Sequence, residues 1–381
     1  MVSAGDPSGD RLGADLLEAL RARGVSFDAA GIGGPRLRAA GLRPIATMES
    51  IAVMGFADVL GHLPAIRHAR RETMRLLTRH PDALFLPIDA PGLHLGLARA
   101  ARRMGRRVVY YVCPQIWAWG RGRIRDLRRD VDLTLLLFRF EEDLLAAASV
   151  PARWVGHPAG ALRPDPAARA RGRTRLGLGP EETLLAILPG SRRAEVRRHL
   201  HPMLDGAARL QAQSGGAVRI AVSDAGPLDE ALREPGARAL WNTLVPHRWP
   251  GDSRELLLAA DLAVVASGTA TLETAVLGVP QVIVYRTGWL NYQIARRLVR
   301  VPAIGLANLV AGARAAPELI QGSASGPRIA LELGALYASP DARAAQTRAF
   351  AGLPALLGGP GSSERAADAL IDFVRSTGGR A

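Results

Sequence analysis

A chain of 381 residues is long enough for two domains, each with its own core. Its 48% hydrophobic and 22% charged content is that of a globular protein, and no run of about 18 apolar residues predicts a membrane-spanning helix. The net charge of +14 favours an anionic partner, yet every one of the 49 basic residues is arginine and aromatics are only 5%, which argues for base-composition bias and against nucleic-acid binding.

In chain order, Gly5-Asp-Pro-Ser-Gly-Asp10 reads as a loop opening a helix over 11–22. Only four residues precede it, fewer than an ordinary strand of about five or six, so the first strand is a stub or the true start lies upstream. Asp6 and Asp10 stand where a signal peptide needs an apolar core, so a cytoplasmic location is expected. Apolar runs at 27–31, 83–88, 108–112, 133–137 and 152–155 read as strands, with helical patterns at 64–79 and 93–104 between them. The glycine loop Ala30-Gly-Ile-Gly-Gly-Pro-Arg36 lacks the spacing of a dinucleotide fingerprint, and a P-loop is absent.

Ile51, Val53, Met54, Phe56, Val59, Leu60, Leu63 and Ile66 form an apolar cluster, followed by Arg67, Arg70, Arg71, Arg75 and Arg79. That combination suits an anionic membrane surface or an acylated substrate, or else an ordinary amphipathic helix with a solvated basic face. Asp89 ends a strand-like run, so it is either a general base for a hydroxyl or the cap of the next helix. Cys113, the single cysteine, reads as a small buried hydrophobe and excludes an intramolecular disulfide. His157 is either a phosphate contact or a turn histidine.

Residues 156–180 are rich in Gly, Pro, Ala and Arg and read as a linker with a short helix near 166–176. The alternation then restarts, with strands at 184–188, 218–222, 262–266 and 282–285 and helices at 195–213, 254–260, 271–277 and 362–374. In the first of these strands the run ends at Pro189, Gly190 and Ser191, with Arg192 at the helix start. Free N–H groups and a guanidinium there can hold a pyrophosphate, although a plain turn with a surface arginine fits as well. Ser267, Gly268 and Thr269 repeat the design, with Glu273 one turn on as a ribose ligand or a helix-start carboxylate. Strand-helix repetition of this kind predicts two doubly wound, Rossmann-type α/β domains facing a cleft.

The blocks Ser8-Gly-Asp-Arg-Leu-Gly13, Ile51-Ala-Val-Met-Gly-Phe56, Pro87-Ile-Asp-Ala-Pro-Gly92, Tyr111-Val-Cys-Pro-Gln-Ile-Trp-Ala-Trp119 and Val155-Gly-His-Pro158 occur in that order. Leu188-Pro-Gly-Ser-Arg192, Ala266-Ser-Gly-Thr-Ala-Thr-Leu-Glu273, Val284-Tyr-Arg286, Leu306-Ala-Asn-Leu-Val-Ala-Gly312 and Pro317-Glu-Leu-Ile-Gln321 follow. This ordered set resembles the lipid-A-disaccharide synthases over nearly the whole chain. The resemblance implies a GT-B fold, with an acceptor domain at 1–160, a nucleotide-sugar domain at 161–360, and a final helix at 361–381 packing back on the first. It implies transfer from UDP-2,3-diacylglucosamine to the 6-hydroxyl of 2,3-diacylglucosamine 1-phosphate with inversion, giving a β-1,6 disaccharide 1-phosphate and UDP. No cofactor or metal is implied, since the UDP-sugar is a substrate. A peripheral position at the inner leaflet is implied, no nucleic-acid partner, and a homodimer is left open.

By position, Asp89 matches the catalytic carboxylate, and Gly190, Ser191, Arg192, Ser267, Gly268, Thr269 and Glu273 the nucleotide side. Arg286, Asn308, Glu318 and Gln321 complete the donor set, while Ser8, Asp10, Met54, Gly55, Gln115 and Trp117 line the acceptor side. The chain departs from the family pattern at Asp6, usually Glu, at Pro7, usually small, at Ala307, often Pro, and in its short first strand. The alternatives are another UDP-sugar enzyme of this fold, such as a UDP-N-acetylglucosamine 2-epimerase or a soluble-acceptor transferase, and a non-catalytic module for anionic lipid or nucleic acid.

Overall fold

The computed structural model describes residues 1–48, 59–117, 122–179, 181–298 and 301–378. The described chain forms two units. One comprises Met1–Pro158, Leu298–Arg300 and Leu357–Ala381, and the other Ala159–Arg297 with Val301–Leu356. The chain passes between the units at 158 and 356, beside the 160 and 360 expected from the sequence.

The first unit carries a seven-stranded parallel sheet. Its strands are β1 (Val2–Ala4), β2 (Ala30–Gly33), β3 (Arg43–Thr47), β4 (Leu86–Ile88), β5 (Val109–Tyr111), β6 (Leu133–Leu136) and β7 (Ala152–Trp154), in the order β3-β2-β1-β4-β5-β6-β7. Every residue of β1, β2, β4 and β5 is buried, as both faces of a helix-covered parallel sheet require. The stub β1 is held on both sides, Ser3 lying opposite Ile32 of β2 and Pro87 of β4. The helix Pro7–Ala22 starts where Asp6 accepts from the N–H of Gly9 at 2.7 Å and Pro7 enters the first turn. Its Leu12, Leu16, Leu17 and Leu20 are buried at helical spacing. The final helix, Ser362–Gly378, packs against it. Arg23 pairs with Asp368, Arg153 with Asp372 at 2.7 Å, and Arg365 donates to the carbonyl of Val155 at 2.8 Å.

The second unit carries six parallel strands: β8 (Thr183–Leu188), β9 (Val218–Ser223), β10 (His247–Trp249), β11 (Leu262–Ala266), β12 (Gln281–Tyr285) and β13 (Glu318–Ile320). Their order is β10-β9-β8-β11-β12-β13. All five residues of β11 are buried, and each large aliphatic so buried is worth roughly 1.5–3 kcal/mol. Residues 156–180 are not the linker the composition suggested. The helix Pro166–Arg175 is built into this unit, with Arg169 and Arg173 both paired to Asp261. It crosses the helix Ser253–Ala259 so closely that a Cβ on Gly172 would stand 2.8 Å from that of Ala259.

In both sheets the order reverses once, between β1 and β4 and between β8 and β11. Ligands of doubly wound sheets bind outside the carboxyl ends at such reversals. Loops after β1 and β4 therefore form the candidate region of one unit, and loops after β8 and β11 that of the other.

Candidate active site

In the first unit Asp89 follows β4 directly and is half-buried. It adopts φ +50°, and Ala90 after it φ +44°, left-handed values that cost a non-glycine residue about 1–3 kcal/mol each. The Asp89 N–H donates to the carbonyl of Tyr111 at 2.9 Å. The Asp89 carbonyl accepts from His94 Nδ1 and from the Tyr110 hydroxyl, both at 2.7 Å. Arg123 opens the helix Arg123–Asp130; burial lowers its pKa from the ordinary value, and the nearby Asp89 charge opposes that shift.

The other first-unit candidates divide. Ser8 is exposed at the start of the first helix, its hydroxyl 3.4 Å from Asp6. Asp10 is 2% exposed and accepts from the N–H groups of Gly34, Arg36 and Leu37 at 2.7–3.1 Å, fixing the turn after β2. Gln115 is exposed in the loop after β5. Trp117 is half-buried and donates its indole N–H to Glu141 Oε1 at 3.1 Å. Met54 and Gly55 lie outside the described residues, as do Ile51, Val53 and Phe56 of the apolar cluster. Cys113 is buried and its thiol pKa pushed well up by burial, in keeping with a structural residue. His157 is 5% exposed and stacks on Phe138.

In the second unit the expected residues gather on neighbouring strand tips. Gly190, after β8, adopts φ +114°, and a Cβ there would meet Glu195 at 2.7 Å, so only glycine fits. Arg192 caps the helix Arg193–Gln213 and reaches Glu195 at 3.2 Å. After β11, Ser267 donates to the carbonyl of Ile304 at 2.9 Å, and the helix Thr269–Val276 begins behind Gly268. Glu273, 7% exposed, receives Nε and Nη2 of Arg254 on one oxygen at 2.9 and 2.8 Å. After β12, the N–H of Arg286 is accepted by His199 Nε2 at 2.8 Å, while His199 Nδ1 donates to the carbonyl of Pro189 at 3.0 Å. A single neutral imidazole therefore ties the Gly190 loop to the Arg286 loop, and burial lowers its pKa accordingly.

Asn308, Glu318 and Gln321 act on the backbone around them. Glu318 accepts from the N–H groups of Ile304 and Gly305 and from Asn308 Nδ2, at 2.9–3.0 Å. Asn308 also bonds Ala316 through both ends of its amide. Gln321 clasps the N–H and carbonyl of Thr287. Their contacts shape the loops that face the β11 and β12 tips.

A family model described as lipid-A-disaccharide synthetase matches residues 1–351. The chain is 40% identical over 375 residues to the lipid-A-disaccharide synthase of Anaeromyxobacter dehalogenans, covering 98% of this chain and 97% of the relative. The chain belongs to the lipid-A-disaccharide synthase family. The corresponding enzyme of Azotobacter vinelandii is 42% identical over 323 residues, 84% of this chain and 85% of its own. Among solved structures, a UDP-N-acetylglucosamine 2-epimerase of Neisseria meningitidis gives a TM-score of 0.65 at 10% identity, covering 97% and 98% of the two chains. A glycosyltransferase of lipopolysaccharide biosynthesis gives 0.56 at 15% identity, covering 97% of each. These likenesses fix the fold as GT-B-like.

Membership in the synthase family makes the chain a UDP-sugar-dependent glycosyltransferase of lipid A biosynthesis. Among the residues packed around these loops, His199, Arg254 and Glu141 carried little signal in the sequence. The only local signal for His199 was a histidine two turns into the helix that follows the Gly190 loop. Arg254 carried none beyond its charge. Glu141 stood in an acidic first turn that reads as ordinary helix dipole chemistry, yet it is 2% exposed and its pKa is pushed up to about 8 by burial, with the Asp89 charge adding to the effect.

Proposed function

We propose that the donor is UDP-2,3-diacylglucosamine and the acceptor 2,3-diacylglucosamine 1-phosphate, joined by a single inverting displacement. Asp89, directly or through a water, takes the proton of the acceptor 6-hydroxyl. That oxygen attacks the anomeric carbon as its bond to the UDP oxygen breaks, and the configuration inverts. Arg192 and the N–H groups at the starts of the helices Arg193–Gln213 and Thr269–Val276 balance the charge of the leaving diphosphate, in the role a metal ion would otherwise fill. Glu273 accepts from the ribose hydroxyls, and Arg286 adds a second positive charge near the diphosphate.

The observation that carries this reading is the strand-tip position of Asp89 at the reversal of its sheet, matched by two helix starts at the reversal of the other. The test is UDP release from the acylated donor, with and without the acylated acceptor phosphate. Release that depends on both supports the reading; release without acceptor, or with a soluble sugar in its place, would replace it.

We propose that the enzyme works at the cytoplasmic face of the inner membrane. No helix among the described residues is long and apolar enough to cross a bilayer. The helix Val59–Arg79 buries Ala69, Thr73 and Leu77 and exposes Arg67, Arg70, Arg71, Arg75 and Arg79, a cationic face suited to anionic headgroups. Flotation with vesicles of mixed neutral and anionic lipid, compared with neutral vesicles, checks this.

A further inference from the structure

Asp89 stands in the left-handed region, which few non-glycine residues adopt, and the Ala90 after it does too. Two successive left-handed residues, neither of them glycine, need outside support to persist. Three buried side chains converge on that point. Tyr110, fully buried in β5, donates its hydroxyl to the Asp89 carbonyl at 2.7 Å. His94, fully buried in the first turn of the helix Pro91–Arg103, bonds the same carbonyl through Nδ1 at 2.7 Å. Its other nitrogen, Nε2, lies 2.8 Å from the hydroxyl of Ser3, which is fully buried in β1.

A carbonyl only accepts, so His94 Nδ1 carries the proton and Nε2 accepts from Ser3. That is one neutral tautomer, and burial pushing the imidazole pKa down to about 4 keeps it neutral at working pH. From the other side, Gly5 presses on Ala90: a Cβ at Gly5 would lie 2.4 Å from the Ala90 Cβ.

We infer that Ser3, His94 and Tyr110 are positioning residues that clamp the main chain of Asp89 and thereby aim its carboxylate at the acceptor hydroxyl. The inference rests on the reading of Asp89 as the base. All three bonds end on main-chain atoms or on the histidine, so the clamp sets where the Asp89 side chain begins and leaves the chemistry to its carboxylate. Neutral His94 adds no positive charge that would weaken the base. The hydroxyl of Ser3 is committed inside the sheet, so this Ser, His and Asp set is no nucleophilic triad.

The test uses the full-length enzyme and steady-state UDP release, with a thermal melt of each variant. Tyr110→Phe and His94→Leu should each lower kcat by about 10–100-fold, since small misplacements of a reacting group cost that much. KM for both substrates should stay within about twofold. His94→Asn, whose amide can donate to the same carbonyl while losing Ser3, should recover part of kcat. If His94→Leu does not fold, Tyr110→Phe, which removes one atom, decides the matter. Folded Tyr110→Phe with kcat within about twofold of the parent, beside an inactive Asp89→Asn, would overturn the clamp while leaving the base in place. Losses that follow melting temperature alone and are not restored by His94→Asn would overturn it equally. An active Asp89→Asn would instead remove the reading on which the clamp rests.

Discussion

At the sheet reversal of the first unit, one carboxylate-bearing residue is held in an unfavourable backbone by Tyr110 and His94. At the reversal of the second, the backbone itself is the working surface: Gly190 turns the chain and two helices begin. His199 and Glu318 tie the loops there to one another, and Arg192 stands at one helix start. On the proposed reading the contrast follows from the tasks. Taking a proton needs one group aimed within a fraction of an ångström, whereas holding a diphosphate needs several donors spread over its oxygens. Left-handed non-glycine backbone thus sits at the first reversal, after β4, and a turning glycine with two helix starts at the second, after β8 and β11.

The largest effect should come from Asp89→Asn. Loss of a general base predicts a fall in kcat of about 10³-fold, about 4 kcal/mol, with an unchanged melting temperature. A variant keeping a tenth or more of the parent rate would mean that the strained residue is not the base. Next comes Arg192→Ala, expected to lower kcat/KM for the donor about 10²-fold, as removal of one anion-stabilising donor does elsewhere. Arg192→Lys should recover part of that. An Arg192→Ala enzyme with ordinary donor kinetics would leave the helix starts to do the work alone.

The smallest effect concerns Glu141, whose carboxyl is raised by burial from 4.5 to about 8. Unfolded, it gives up its proton near its ordinary value; folded, it holds it to about 8. Its contribution to stability is thus full below about pH 4.5 and is lost as pH climbs to about 8. Glu141→Gln should flatten the fall in melting temperature between about pH 5 and 8 by a few degrees. Parallel slopes for the two proteins would show that the buried carboxyl ionises as freely folded as unfolded.

Much of this organisation was legible in the sequence, for a physical reason. The reading at 262–266 coincides with β11 because a strand buried on both faces must be a continuous apolar run. The strands that went unread, β3, β10 and β13, all lie at sheet edges. Edge strands carry polar residues that break a continuous apolar run, as Arg43–Thr47 and His247–Trp249 illustrate. At the site, glycine and hydroxyl residues after strands announced the turns and helix starts after β8 and β11, since that geometry is local. Pairings between distant residues were not legible. Arg254 meets Glu273 across 19 positions, Trp117 meets Glu141 across 24 and His199 meets Arg286 across 87. Asp10 stood in a legible motif, but the Gly34 N–H it accepts is 24 residues on.

The division of labour between the two units is open to one direct measurement: calorimetric titration of UDP into the parent, Asp89→Asn and Arg192→Ala proteins. Parent-like affinity in Asp89→Asn, with binding at least about tenfold weaker in Arg192→Ala, is what the account predicts. The opposite pattern, weakened by Asp89→Asn and untouched by Arg192→Ala, would contradict it.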